Sequence, residues 1–275
     1  MNKRAFTLIE LLVVIAIIAI LMGILMPTLS AVRKQARAAA CLSQIKQWSI
    51  IWQMYFDDHN GKMPDVQFGL GAIGGWNRGF WATVLAPNWE KRPEILLCPS
   101  AKKTGIRTQG DYNIIGSFDQ AYNQGEYNYR GHGGEVVRDL MCSYGMNLFA
   151  ASTNTTVQDR KKEYHWQNQN KIKGAGDIPL FLDAMWRGGG PHYDRIEAYK
   201  PPVVNGAWSN YDFEMQHFAM NRHGGGVNSL FLDGSARKVR VRELWDLRWH
   251  KEYDVRRADS FDASFWPDWI RVLGN

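Results

Sequence analysis

Residues 11–32 form an unbroken run of 22 positions without one charged side chain. No other feature constrains the chain so strongly, because water cannot solvate such a run cheaply and something apolar must cover it. Lys3 and Arg4 precede it, and Glu10 sits at its edge. A cationic tail before an apolar run reads first as a secretory signal or a membrane span. Two details argue against the ordinary versions of both. A secretory signal places small residues after its apolar run and is cut there, whereas this chain continues smoothly into an amphipathic helical pattern. An ordinary span does not keep a lone carboxylate, since one at membrane depth costs about 2.5–3.5 kcal/mol on insertion scales. Glu10 is therefore expected to have a specific partner and a role.

Lys3-Arg4-Ala5, then Phe6-Thr7-Leu8-Ile9-Glu10, the uncharged run and Pro27 agree in order and spacing. Together they resemble the processing and methylation site of type IV pilins and type II secretion pseudopilins. The resemblance implies cleavage by a prepilin peptidase between Ala5 and Phe6, retention of the apolar segment and N-methylation of Phe6. One departure is Ala5, where the family normally has Gly; Ala is the next smallest side chain and is compatible with cleavage. Pro27 occupies the place of the family's helix-kinking proline. The implied partners are the peptidase, identical or related pilin subunits, and an assembly platform in the bacterial inner membrane. The leader would face the cytoplasm and the globular part would lie outside it, in the periplasm or at the cell surface. Charge alone leaves the orientation open, because Arg33, Lys34 and Arg37 flank the far end of the run.

The resemblance also assigns Glu10 its task. A carboxylate buried between packed helices must be matched or carries a large desolvation cost. The partner the family uses is the freed amino group of Phe6 on a neighbouring subunit. Such a pairing sets axial register, as a buried polar residue does in a coiled coil.

Downstream of Pro27, Ile45, Trp48, Trp52 and Tyr55 recur at three- and four-residue steps. This stripe predicts that the second half of the helix docks on a globular domain. Gly61 and Pro64 end the helix, the first suiting a left-handed turn and the second preventing continuation. The expected organisation is a leader at 1–5, a helix over 6–58 and a globular domain over 59–275. Within the helix, 6–32 is the membrane and polymerisation half and 33–58 the amphipathic half. Roughly 215 residues beyond the helix suffice for one sizeable core.

That domain is rich in Gly, Trp and short apolar runs. A glycine-rich loop region precedes the short run 80–85, 95–100 reads as a short strand or turn ending at Pro, 102–134 as a long loop or insertion, and 178–183 as a buried strand. Residues 227–232 and 235–241 around Asp233-Gly234 predict a hairpin with a type I′ turn. The fold class is therefore α+β: a long N-terminal membrane-spanning helix packed by its C-terminal half on a mostly antiparallel sheet, in the manner of pilins. Formal net charge is +6, about +4 once Lys3 and Arg4 leave, with no clustered basic stripe, so nucleic acid is not an expected partner.

His223, nine further residues and Asp233-Gly234 resemble the H-X9-DG region of a large group of bacterial prepilin-like proteins, here at 223–241. Leu97-Cys98-Pro99-Ser100, Ser143-Tyr144-Gly145-Met146-Asn147 and the strand ending at Asp183 resemble the same group. Asp183, His223 and Asp233 are the metal candidates, weighed because some secretion pseudopilins bind calcium through loop carboxylates. Imidazole is a poor calcium ligand, and one imidazole with two separated carboxylates is not a zinc spacing. The preferred reading needs no cofactor: Asp233 shapes the turn and His223 hydrogen-bonds to nearby backbone. No motif supplies a nucleophile, base and orienter, so catalysis is not expected.

Cys41, Cys98 and Cys142 would lie on the oxidising side of the membrane, where three pairings are open and one thiol must remain. The resembling group often has Cys at the first two positions, which favours Cys41–Cys98. Cys98–Cys142 is the runner-up and closes a shorter loop. The chain also holds 12 Trp. Core packing explains them most simply; the alternative is a sugar-stacking platform, making the chain a displayed module that binds polysaccharide. The leading expectation remains a structural subunit of a pilus or pseudopilus.

Overall fold

The computed structural model describes residues 7–65, 81–104, 115–123, 126–128, 136–138, 140–157, 160–191, 196–209 and 213–273. The expected leader, its cleavage point at Ala5 and Phe6, and the glycine-rich stretch 66–80 lie outside the described residues.

Helix α1 spans Leu8–Asp58, 51 residues, and at 1.5 Å per residue reaches roughly 77 Å. It runs through Pro27 without interruption. The Thr28 hydroxyl donates to Leu25 O at 2.8 Å, while the carbonyl that Pro27 leaves without its usual helical donor is that of Gly23. At the far end Gly61 adopts φ +73°, and its N–H donates to Phe56 O at 2.7 Å, closing the helix as its composition predicts.

Ten short strands follow among the described residues. β1 (Lys103–Thr104), β2 (Gln120–Asn123) and β5 (Met141–Cys142) form a small sheet, and β3 (Glu126–Asn128) pairs with β4 (Val136–Arg138). The stretch expected to be a loop at 102–134 thus contains strand, because pairing partners distant in sequence supply the hydrogen bonds that local composition does not suggest. The main sheet joins β6 (Tyr144–Asn147), β7 (Pro179–Asp183), β8 (Gly188–Gly189), β9 (Gly226–Phe231) and β10 (Ala236–Arg240) in the order β10-β9-β7-β6-β8. All its pairings are antiparallel except β6 with β8. The strand expected at 178–183 is β7. Trp81–Val84 is a short helical turn, and 95–100, read as strand or turn, is the latter: it holds the end of the helical turn Pro93–Leu96 and a turn at 99–100. Pro93 at the start of the second turn fixes a helical φ.

One face of the main sheet receives α1. Cys41, Ile45, Trp48, Trp52 and Phe56 are buried at four-, three-, four- and four-residue steps, while Tyr55 is half-buried at the edge of the stripe. Trp48 packs edge-on against Trp81 at 5.1 Å, and both rings meet Phe181 of β7. Trp48 Nε1 donates to Ile95 O at 3.1 Å, so the buried indole keeps its hydrogen bond. Ser49 Oγ donates to Gly234 O at 2.9 Å and Asn228 Nδ2 to Ala38 O at 3.2 Å, tying helix to hairpin at both ends.

The opposite face is covered by the chain after Arg242, a stretch that resembles nothing in the sequence groups above. Leu244, Trp245, Trp249, Trp266 and Ile270 form a second buried cluster with Leu182, Val227 and Phe231. The alternation along β9 explains the two layers. Val227 and Phe231 face this cluster, while Leu230 faces α1.

His217 belongs to this second layer. Its Nδ1 lies 2.7 Å from Gly188 O, and burial holds its pKa down at about 4, against an ordinary 6.5. The unfolded chain takes up that proton at the ordinary value while the folded chain refuses it until about 4, so acidification favours unfolding across that window. Between pH 7 and pH 5 the group should cost about 2 kcal/mol of stability. Thermal midpoints of detergent-solubilised protein at both pH values check this. His217→Gln should reduce the dependence by that amount, leaving the share of His165, which burial also holds at about 4, and an unchanged slope in that variant would rule out His217 as a source.

Candidate functional site

Two regions of the molecule call for a functional account: the bare half of α1 and a buried polar cluster where that half ends. Every residue from 7 to 37 is exposed, including Leu8, Ile9, Leu11, Leu12, Ile15 and Ile18. Burial starts only at Ala38 and Cys41, where the helix meets β9 and the hairpin. A helix surface this long and apolar is stable only in lipid or against other helices. Glu10 stands at its start. Its carboxylate accepts from Thr7 N–H and Thr7 Oγ1, both at 2.8 Å, while Glu10 N–H donates to Thr7 Oγ1 at 3.3 Å. This reciprocal cap satisfies helix-end donors within the monomer. The family resemblance assigns Glu10 only an external partner, although the Thr7-Leu8-Ile9-Glu10 spacing is the signature of such a cap.

The second region is assembled from four segments. Cys41 comes from α1, Cys98 from the turn after Pro93–Leu96, Asp183 from the end of β7, and His223 from the turn that enters β9. All four are buried, and one ligand-capable atom of each lies within 4.8 Å of the others. His223 Nε2 is 3.0 Å from Asp183 Oδ2 and 3.4 Å from Cys98 Sγ; Cys41 Sγ is 3.5 Å from Asp183 Oδ1. The expectation that His223 bonds to backbone is therefore corrected: a buried carboxylate is the stronger acceptor, and strand pairing delivers Asp183 to it. His223 Nδ1 is buried without a hydrogen-bond partner among the described residues.

Asp183 is itself held. Arg222 Nη1 donates to Oδ1 at 3.2 Å and Asn228 N–H to Oδ2 at 2.8 Å. The same guanidinium donates to the carbonyls of Ser143, Ser117, Ala184 and Phe118, so the buried charge is fully bonded. Neither Arg222 nor Asn228 stands out in the sequence; the adjacency of Arg222 to His223 is the available signal.

Electrostatics follow this arrangement. Burial alone would raise Asp183, but His223 and Arg222 overcome it and hold the carboxyl well below the usual range. Burial would lower His223, yet the Asp183 charge raises it to about 9. Burial also opposes ionisation of Cys98, but hydrogen bonds from Cys41 and His223 and the charge of Arg222 bring it to about 6. Cys41, by contrast, is pushed up by burial and by its negative neighbours.

Asp233, the third metal candidate, is not in the cluster. It sits at the other end of β9, where its Oδ1 accepts from Ser235 N–H at 2.8 Å. The nine residues between His223 and Asp233 are essentially the length of one strand with its entry. Asp233 does shape the turn, as expected, but the turn is not type I′. Only Gly234 has positive φ, at +82°, with Gly234 N–H donating to Phe231 O and Phe231 N–H to Ser235 O. This is a three-residue loop with a left-handed glycine, which spares Asp233 a strained φ. Calcium does not fit the cluster, which offers one carboxylate where that ion takes about six to eight oxygens.

All three cysteines are free thiols. Cys41 and Cys98, the pair favoured by resemblance, share the cluster without being bonded. Cys142 is buried elsewhere, beside the Tyr122 hydroxyl. The tryptophans provide no sugar platform among the described residues: Trp81, Trp89, Trp166, Trp186, Trp245, Trp249 and Trp266 are buried, and Trp208 and Trp269 are half-buried.

Residues 1–26 match the family model for the prokaryotic N-terminal methylation motif. A relative, the type IV wide pilus major component PilA4 of Thermus thermophilus, is 46% identical over 59 residues, which is 22% of this chain and 45% of the relative. The chain thus spans less than half the length of that relative. No solved structure matches the chain. The N-terminal methylation motif, and a long apolar helix docked on a mostly antiparallel sheet, make the chain similar to type IV pilins.

Proposed function

We propose that the chain is a structural subunit of a type IV pilus or a type II secretion-type pseudopilus, assembled through the first half of α1. The observation that carries this reading is the sharp division of one continuous helix. Residues 7–37 are bare in the monomer, whereas the positions from Cys41 to Phe56 build its core. A signal anchor needs only enough helix to cross a bilayer, roughly 20 residues. Here the bare surface continues to the edge of the globular domain, long enough to serve both as a membrane anchor and as a filament core.

In this reading a prepilin peptidase of the bacterial inner membrane removes residues 1–5, and Phe6 is methylated. The subunit waits in that membrane with its globular domain outside the cytoplasm, until an assembly platform adds it to neighbouring copies or related subunits. Leaving lipid, the carboxylate of Glu10 exchanges its Thr7 cap for the amino group of a neighbour's Phe6. Intact-mass and N-terminal peptide analysis of the membrane fraction tests the scheme. The expected product begins at N-methylated Phe6. A terminus at Met1, or one created after Val32, would sink it.

A further inference from the structure

We infer that Cys41, Cys98, Asp183 and His223 bind one zinc ion, which clamps the assembling helix to the globular domain. The donor set carries the argument. Two sulfurs, one imidazole nitrogen and one carboxylate oxygen are the ligand types zinc takes, and four is the number a closed structural site requires. Their spacing also fits. Ligands at zinc's bond lengths of about 2.0–2.3 Å, placed at the corners of a tetrahedron, stand about 3.3–3.8 Å apart. The observed separations are 3.4 Å for Cys98 Sγ and His223 Nε2, and 3.7 Å for Cys41 Sγ and Asp183 Oδ2. The His223 to Asp183 distance, 3.0 Å, needs to open by only a few tenths of an ångström.

The surroundings are those of a metal site. Ligating carboxylates are normally held by hydrogen bonds of their own, and Arg222 and Asn228 hold Asp183. Ser100 N–H donates to Cys98 Sγ at 3.4 Å, the backbone bond that favours a thiolate in a tight turn. Charge closes as well: two thiolates and one carboxylate balance a divalent ion together with the Arg222 guanidinium, so no net charge is buried. Ion binding forms two Zn–S bonds, one Zn–N bond and one Zn–O bond, and the protons held by the Cys41 and Cys98 thiols and by His223 Nε2 pass to solvent.

Two other readings of the cluster are weaker. A thiol–imidazole pair for catalysis needs access to substrate, and Cys41, Cys98 and Asp183 are each 0% exposed. A disulfide needs a sulfur–sulfur bond of about 2.05 Å, whereas Cys41 and Cys98 are free thiols joined only by a hydrogen bond, and Cys98 Sγ also meets His223 and Ser100 N–H. The ligands lie far apart in sequence, and one belongs to the helix, so the site is complete only when α1 docks. Zinc binding and docking are then a single event, and pull on the helix is transmitted to the sheet through metal bonds. The inference does not depend on the filament reading, since the four residues lie in the monomer.

The test uses the full-length chain, solubilised in detergent and purified without chelator or histidine tag from cells supplied with zinc. Elemental analysis should find one zinc per chain. Protein refolded with cobalt under reducing conditions should show thiolate-to-cobalt charge transfer and the intense d–d bands of tetrahedral coordination. Cys41→Ser and Cys98→Ser should lose the metal, while Cys142→Ser, outside the cluster, should keep it. Because a serine variant can fail simply by misfolding, His223→Cys serves as a second variant: it should retain one metal and strengthen the sulfur charge transfer. The metal-loaded protein should melt roughly 10 °C or more above protein refolded without metal. The inference is overturned by metal-free wild-type protein that gives no cobalt spectrum, by a Cys41–Cys98 disulfide in the native chain, or by full zinc content in both serine variants.

Discussion

Glu10→Leu is expected to leave membrane insertion and the globular fold intact and to lower filament yield roughly a hundredfold or more. Insertion should be unchanged or improved, because a carboxylate leaves membrane depth. In the proposed filament, assembly suffers because the amino group of each neighbour's Phe6 would be left buried and unmatched. Breaking a buried pair on one side costs about 3–5 kcal/mol, and each 1.4 kcal/mol is a factor of ten. The Thr7 cap complicates this substitution, since removing Glu10 also frays the helix start by about 1 kcal/mol. Glu10→Gln separates the two effects, because Gln can complete the same reciprocal cap without charge. Filaments counted by electron microscopy should be scarce in both variants. Normal yield from the Gln variant would mean that the cap, not the charge, was the requirement.

Truncation gives the second large effect. A chain beginning at Arg33 discards only surface that is bare in the monomer and keeps Cys41, Ile45, Trp48, Trp52 and Phe56. It should be soluble, monomeric and cooperatively folded. A chain beginning at His59 loses all five. Fully burying a large apolar side chain is worth about 1.5–3 kcal/mol, so their sum rivals the 5–15 kcal/mol of a typical domain. Phe181 of β7 and Leu230 of β9 would be uncovered, and the exposed face would become an aggregation surface. Size-exclusion chromatography and thermal melts of the two fragments decide the matter: equal solubility and cooperativity would show that the helix does not complete the core. Trp48→Ala in the longer fragment should cost about 3–5 kcal/mol, as expected for a large ring removed from a tight core.

What could be read without coordinates was mostly local. The apolar run, the stripe through Ile45, Trp48 and Trp52, the glycine stop at Gly61 and the β9–β10 hairpin each depend on residues within a few positions of one another. Periodicity and turn chemistry report such elements directly. Even there, turn type escaped. Asp-Gly alone does not say whether one residue or two take positive φ, and the length of the loop between paired strands decides it.

One long helix with a bare half and a docking half was written in the order of residues, because side-chain polarity repeats at the helical period. The motif around Phe6 and Glu10 was legible for a similar reason: it is contiguous. Packing alone settled that Cys41, Cys98, Asp183 and His223 share one site and that Asp233 does not. Those residues come from a helix, a turn, a strand end and a strand entry, and no local pattern encodes which of them meet. Asp183 and His223 converge because β7 pairs with β9, and Cys41 joins them because the stripe on α1 covers that side of the sheet. The chain after Arg242 found its place for the same reason: the second face of the sheet was apolar and had to be shielded from water.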